Sequence, residues 1–129
     1  MSGEKNLHAL IKNLKPLLHS GQYVFVVCPE NTVIPVNDIQ AMFREEKGIT
    51  LVMEQKKANA LGMSYTFVAA WITLMVHSSL EAVGLTARVA EALAKEGISC
   101  NAIAANYHDH IFIPFRDAQR ALAILSKLN

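Results

Sequence analysis

The sequence has little charge. Only 18% of its 129 residues are Asp, Glu, Lys or Arg, and 12 basic residues against 11 acidic ones leave a formal net charge of +1. Such a surface lacks the cationic excess that holds a phosphate backbone or an anionic membrane. The composition therefore predicts a protein that binds neither nucleic acid nor membranes. The high hydrophobic fraction, 52%, indicates one ordinary globular domain or two very small ones.

Cysteine is also scarce. Cys28 and Cys100 are the two thiols, so the spacing indicates neither a disulfide framework nor a zinc site. The opening segment MSGEKNLH has no apolar core of the kind that export signals carry. We expect a cytoplasmic protein with reduced thiols, in which each cysteine is a small buried hydrophobe rather than a nucleophile activated by a histidine.

One long stretch, residues 58–80, contains no Asp, Glu, Lys or Arg. It is long enough to span a bilayer, but its strictly apolar part is too short to do so. Residues 65–68 and 71–76 are mainly β-branched or aromatic, which is typical of buried strands. We therefore predict two consecutive strands here, with a bend at Ala69 and Ala70, rather than a transmembrane helix.

Elsewhere, apolar spacing and Gly or Pro breaks predict short helices alternating with short strands. In the first half we predict a helix over 7–14, a strand over 22–28, a second helix after Asn37 or Asp38, a strand over 49–54 and a helix over 55–61. Ile39, Met42 and Phe43 would form the apolar face of the second helix. In the second half we predict a helix over 85–96, strands over 98–105 and 110–115, and a last helix capped by Asp117.

This alternation indicates an α+β protein, a ferredoxin-like antiparallel sheet sandwich made of two related units. We divide the chain into an N-terminal helix at 1–20, a first and incomplete unit at 21–70 and a second unit at 71–129.

Residues 72–103, ITLMVHSSLEAVGLTARVAEALAKEGISCNAI, resemble the opening β-α-β of an ACT domain, a small regulatory module of amino-acid metabolism. The continuation DHIFIPFRDAQRALAIL resembles the third strand and second helix of that module. The segments GQYVFVVCP, FREEKGITLVMEQ and ALGMSYTFV are similar to the first unit of small stand-alone bacterial proteins with a tandem pair of ACT-like domains. The resemblance implies a regulatory protein and, since ACT modules commonly join side by side, a homodimer.

The predicted strands differ in number from those of a complete ACT domain. A complete ACT unit runs βαββαβ, whereas our reading lacks the third strand of the first half and the fourth strand of the second. Either the predicted boundaries are wrong or the halves lend strands to each other.

The candidate ligand site lies around the start of the helix that follows Gly84. The N–H groups of Leu85, Thr86 and Ala87 have no partners within the helix and, together with the helix dipole, attract a carboxylate. Gly84 would let a ligand approach the backbone closely. The hydroxyls of Ser78, Ser79 and Thr86 and the side chain of Asn101 could add hydrogen bonds. The resemblance implies that an amino acid binds here, at the interface between ACT-like units. The competing interpretation is purely structural, with Gly84 as a turn residue and Ser79 or Thr86 as a helix cap.

Other functions have weaker support. His108, Asp109 and His110, with His77 as a further partner, form the one cluster with metal-ligand chemistry, but a polar hairpin turn explains it equally well. We assign no metal and no cofactor. Our prediction is a non-catalytic module that binds a small metabolite, with a purely structural dimerisation module as the alternative and a histidine-dependent enzyme or metal binder as a third reading.

Overall fold

The computed structural model describes residues 3–29 and 31–128, which form two compact units. Unit 1 consists of Met1–Ser20 together with Ala70–Asn129, and unit 2 is Gly21–Ala69. In chain order the elements are α1 (Leu7–Asn13), β1 (Pro16–Leu18), β2 (Tyr23–Cys28), β3 (Ala41–Glu45), β4 (Gly48–Glu54), α2 (Gln55–Ala60), β5 (Val68–Leu74), α3 (Leu85–Lys95), β6 (Asn101–Ala104), β7 (Asp109–Pro114) and α4 (Ala118–Ser126).

Unit 2 is a small antiparallel sheet in the order β3-β4-β2-β5, to which β5 contributes its first two residues, Val68 and Ala69. Alternate residues of β2 and β4 turn inward, and α2 adds Ala58 to the same buried cluster. The connection between β2 and β3 contains a 3₁₀ turn, Val36–Asp38, where a complete βαββαβ unit has its first helix. The strand order is that of a ferredoxin-like sheet.

Unit 1 is built on strands in the order β1-β5-β7-β6. Ile72 and Leu74 of β5 and Ile111 and Ile113 of β7 are buried in one cluster with the apolar faces of the helices. The helix residues in this cluster are Leu10 and Leu14 at α1, Leu85, Val89 and Leu93 of α3, and Ala118, Ala121 and Leu125 of α4. The helices therefore cover one face of the sheet, and the prediction of a ferredoxin-like α+β fold is confirmed.

Strand β1 supplies the fourth strand that the second half lacked. It lies antiparallel to β5, with Leu17 opposite Thr73. Neighbouring hydrogen bonds run from the Met75 N–H to the Lys15 carbonyl, 2.7 Å, and from the His19 N–H to the Trp71 carbonyl, 2.9 Å. Strand β1 gives no sequence signal, because a three-residue strand that begins with a proline is too short to show a period.

Two further predictions were wrong. The helix after Asp38 is instead the 3₁₀ turn followed by β3, and Met42 and Phe43 are exposed on a strand rather than on the apolar face of a helix. The bend at Ala69 and Ala70 is absent, because β5 runs continuously through both alanines, which are fully buried.

Two smaller findings complete the fold. Asp117 precedes α4 but does not cap it with its side chain, which instead accepts a hydrogen bond from Arg120 Nη1 at 2.8 Å. Among the helices of the described residues, none has both the length and the apolar character needed to cross a membrane.

We predict that Leu17→Pro destabilises the protein by at least about 1 kcal/mol, because the alternation of the ladder places the Leu17 N–H in a hydrogen bond to β5 that proline cannot donate. Chemical denaturation measures this change. Leu17→Val is the matched control, and since Leu17 is 46% exposed its cost should stay below about 0.5 kcal/mol. Equal stability of the two variants would show that β1 contributes nothing to the sheet.

Candidate functional site

Five of the six predicted ligand residues lie in the loop between β5 and α3 or on the first turn of α3. Ser78 is buried, and its hydroxyl donates to the Ser79 carbonyl at 3.3 Å. The Ser79 hydroxyl accepts the Glu81 N–H at 3.1 Å. Both serine side chains thus fold the loop itself, as in the local turns that serine favours.

The start of α3 has no side-chain cap. Gly84 occupies the N-cap position in the left-handed region, at φ +100°, and offers no oxygen to the helix. The first helical hydrogen bond runs from the Arg88 N–H to the Gly84 carbonyl, 2.9 Å. The N–H groups of Leu85, Thr86 and Ala87 therefore have no acceptor within the helix, and this is where the dipole favours an anion.

The side chains at this position have different roles. Leu85 is buried in the core of unit 1, so only its backbone is available to a ligand. Thr86 is half-buried on the first turn. Asn101 does not share the loop, since it begins β6 opposite Phe112 and its side-chain amide donates to the Phe112 carbonyl at 3.2 Å.

The segment before α1 contacts the same loop. The Glu4 N–H donates to the His77 carbonyl at 2.8 Å, and the Ser79 N–H donates to the Glu4 carbonyl at 3.0 Å. Lys5 Nζ lies 2.8 Å from Glu81 Oε2. No sequence signal pointed to this contact, because it consists of backbone hydrogen bonds and one exposed ion pair.

A cavity of about 590 Å³ lies beside this region in unit 1. Its apolar lining comes from α1 and the end of the chain, and its basic groups come from α1 and the first turns of α3. The lining residues are Leu7, His8, Ile11, Lys12, Arg88 and Leu128. Leu7 also packs toward Gly84, since a Cβ built on Gly84 would lie 3.1 Å from Leu7 Cδ2.

The opposite face of the unit 1 sheet carries a polar network that the sequence analysis missed. Thr73 Oγ1 lies 2.7 Å from His19 Nε2 and 2.9 Å from His110 Nδ1. Trp71 Nε1 donates to the same His110 Nδ1 at 3.1 Å, and its ring stacks on His19 with centroids 3.5 Å apart. Alternation along β5 places Trp71 and Thr73 together on this face, away from Ile72 and Leu74.

The donors of this network fix its protonation. An indole N–H can only donate, so His110 Nδ1 must be an acceptor and the ring is neutral. The Thr73 hydroxyl lies within hydrogen-bond distance of both imidazole rings. Burial lowers the pKa of His110, and charge on His108 and His19 would lower it further; burial also lowers the pKa of His19.

Two histidines of the predicted metal-ligand cluster have other contacts. His110 belongs to the network, whereas the His77 ring packs against Tyr107 with centroids 5.9 Å apart. Within residues 3–29 and 31–128, no three His, Cys, Asp or Glu side chains are arranged to hold a metal ion.

Both cysteines are free thiols, Cys28 buried and Cys100 half-buried. Burial raises the pKa of each thiol. A raised pKa keeps sulfur protonated near neutral pH, which is the opposite of what nucleophilic catalysis needs.

We predict that acidification below pH 6.5 destabilises the protein. The pKa values of His19 and His110 are lowered from 6.5 in the fold, so the unfolded chain takes up more protons as the pH falls through 6.5 toward the folded-state values. The free energy of unfolding that the two neutral histidines contribute is fully present above pH 6.5 and is lost as the pH falls below that value. Urea unfolding at several pH values across this range measures the slope of the unfolding free energy against pH.

The double variant His19→Gln/His110→Asn keeps hydrogen-bonding atoms and removes both titrations, so we expect a flatter pH dependence. His8→Gln, a change at an exposed histidine, is the control and should retain the slope of the unaltered protein. An unchanged slope in the double variant would mean that other groups cause the acid sensitivity.

Comparison with known proteins agrees with this architecture. Residues 2–70 and residues 67–127 each match a family model of the ACT domain. No curated protein matches the chain. Among solved structures, a protein of unknown function from Vibrio cholerae, named a possible transport protein, is 43% identical, with 96% of both chains covered and a TM-score of 0.81.

More distant structures share the fold. A protein from Agrobacterium tumefaciens is 14% identical, with 89% of this chain and 88% of that chain covered and a TM-score of 0.72. The aspartokinase III of E. coli, solved with aspartate and ADP, is 14% identical, with 88% of this chain and 33% of that chain covered and a TM-score of 0.58. ACT domains are in general regulatory ligand-binding modules. With matches that together span residues 2–127, the chain belongs to the ACT domain family.

Proposed function

We propose that this protein is a non-catalytic regulatory module that binds an amino acid at the β5–α3 loop of unit 1. The observation that carries the proposal is the uncapped start of α3 behind a left-handed Gly84, at the loop that the family resemblance identified, in a chain of two ACT domains. The resemblance further implies that the complete site lies at an interface between ACT units.

The chemistry of the loop supports an amino acid. Its carboxylate would accept the free N–H groups of Leu85, Thr86 and Ala87, and the positive end of the helix dipole would favour its charge. The Thr86 hydroxyl lies on the same first turn. Leu7 packs toward Gly84 and also lines the neighbouring cavity, so an aliphatic side chain of the ligand would find apolar surface close by.

A non-catalytic role is supported by the reactive groups that the structure describes. The thiols have raised pKa values, which keeps them protonated near neutral pH, and His110 Nδ1 already accepts a hydrogen bond from the Trp71 indole. Free thiols suit a reducing compartment, so we place the protein in the cytoplasm.

We predict that Ala87→Asp abolishes or weakens amino-acid binding at least about tenfold, because its carboxylate would occupy and repel the anion position at the start of α3. Thermal shift against each of the twenty amino acids, followed by calorimetric titration of those that raise the melting temperature, measures the loss. A rise in melting temperature that persists unchanged in Ala87→Asp would place the ligand elsewhere.

Ala94→Asp is the matched control, since Ala94 is also exposed but lies near the C-terminal end of α3. The dipole makes an acid stabilising at the helix start and destabilising at its end, by about 0.3–1 kcal/mol. The variant that loses binding is thus the more stable of the two, so lost binding cannot be attributed to unfolding. If no amino acid binds even the unaltered protein, the sensor function is wrong.

A second function, assembly alone, is favoured by β6. This edge strand of unit 1, Asn101–Ala104, has no charged residue, and Asn101, Ala102 and Ala104 are exposed. The Ala105 N–H donates to the His108 carbonyl at 3.1 Å, so by alternation the N–H of Ala102 points to the open edge. We propose that this edge pairs with a second copy in a homodimer.

We predict that Ala102→Pro weakens self-association at least about tenfold while leaving the unfolding free energy of the monomer within about 1 kcal/mol, because proline removes only an outward N–H. Sedimentation velocity over a range of concentrations measures the association. Ala102→Ser retains the N–H and serves as control. Dimers of equal strength in both variants would show that association uses another surface.

A further inference from the structure

We propose that residues 3–6, termed here the strap, close over Ser78 in the β5–α3 loop and must lift before a ligand can bind the Ser79 N–H. That the strap competes with a ligand rests on the proposed function of the loop. That the strap closes on the loop is independent of that function. The strap thereby sets the affinity of the site, since a ligand that binds only the open form sees its affinity reduced by the fraction of molecules that are open.

The strap is held by the backbone of the loop. Glu4 pairs with Ser78 in a short parallel bridge, through hydrogen bonds from the Glu4 N–H to His77 and from the Ser79 N–H to Glu4, at 2.8 and 3.0 Å. These bonds join the strap to both sides of Ser78. They also occupy the Ser79 N–H, a donor that a carboxylate at this loop could otherwise use.

Gly3 makes the closest approach. A Cβ at this position would lie 2.6 Å from the His77 carbonyl oxygen and 2.7 Å from the Ser79 nitrogen. Both are backbone atoms, which cannot move aside as a flexible side chain can. Only glycine therefore lets the strap lie flat on the loop.

The strap ends at the N-cap of α1. Asn6 ends the strap and caps α1, its Oδ1 accepting the Ala9 N–H at 3.1 Å. Among the described residues, a further anchor is the ion pair between Lys5 and Glu81, whose side chains are 60% and 77% exposed. An exposed pair of this kind adds little, so two backbone hydrogen bonds carry most of the closure and the strap can open without unfolding α1.

The test uses Gly3→Val, which displaces the strap without altering any residue of the loop. Amide hydrogen exchange reads closure directly: we expect the Ser79 amide to be protected in the unaltered protein and to exchange at least about tenfold faster in Gly3→Val. Lys5→Ala, which removes only the exposed ion pair, is the control and should retain protection. Equal Ser79 exchange in Gly3→Val and the unaltered protein would overturn the strap.

The second arm titrates each of the twenty amino acids against the same proteins. Any amino acid that binds the unaltered protein should bind Gly3→Val about tenfold more tightly. It should bind Lys5→Ala with the same affinity as the unaltered protein. If an amino acid binds Gly3→Val with the same or a lower affinity than the unaltered protein, the strap does not compete with the ligand, even if hydrogen exchange confirms that the strap is closed. Binding to none of the proteins overturns the proposed function and the competition with it, while the exchange rates still decide closure. Glu4→Pro, which lacks the N–H that binds His77, repeats both arms should Gly3→Val fail to fold.

Discussion

The pairing of β5 is the constraint on which the rest of the structure depends. Its first residues complete unit 2 against β2, and its later residues pair with β1 in unit 1. Its inward side chains, such as Ile72, anchor the helices, and its outward ones, Trp71 and Thr73, form the histidine network. Its end leads directly into the loop that precedes α3. A slip of one residue would exchange these faces, burying the network and exposing the core.

The sequence predicted most of the second half because its signals are local. The periodic apolar face of α3 and the glycines on either side of it define that helix, and its observed span, Leu85–Lys95, is one residue shorter than expected. The candidate loop followed from the same residues. The position of Asn101 did not, since only the pairing of β6 with β7 places it opposite Phe112.

The misassigned elements are those whose structure is decided by distant partners. Residues 41–45 have apolar side chains at positions that also fit a helix, and only pairing with β4 makes them a strand. Leu17 belongs to a strand because Thr73, far along the chain, lies opposite it. The contact of Glu4 with the β5–α3 loop is equally non-local and uses backbone atoms, which carry no sequence signal.

The position of β1 has a consequence for how the chain folds. Unit 1 takes its fourth strand from before unit 2 and its other three from after it, so Gly21–Ala69 is an insertion in the sequence of unit 1. On the ribosome, the segment that contains α1 and β1 emerges early and has no strand to pair with until β5, Val68–Leu74, has been synthesised. Unit 2 has its strands in one continuous stretch and can form first. The contacts of β1 are of high sequence separation, which makes closure of unit 1 the slower step.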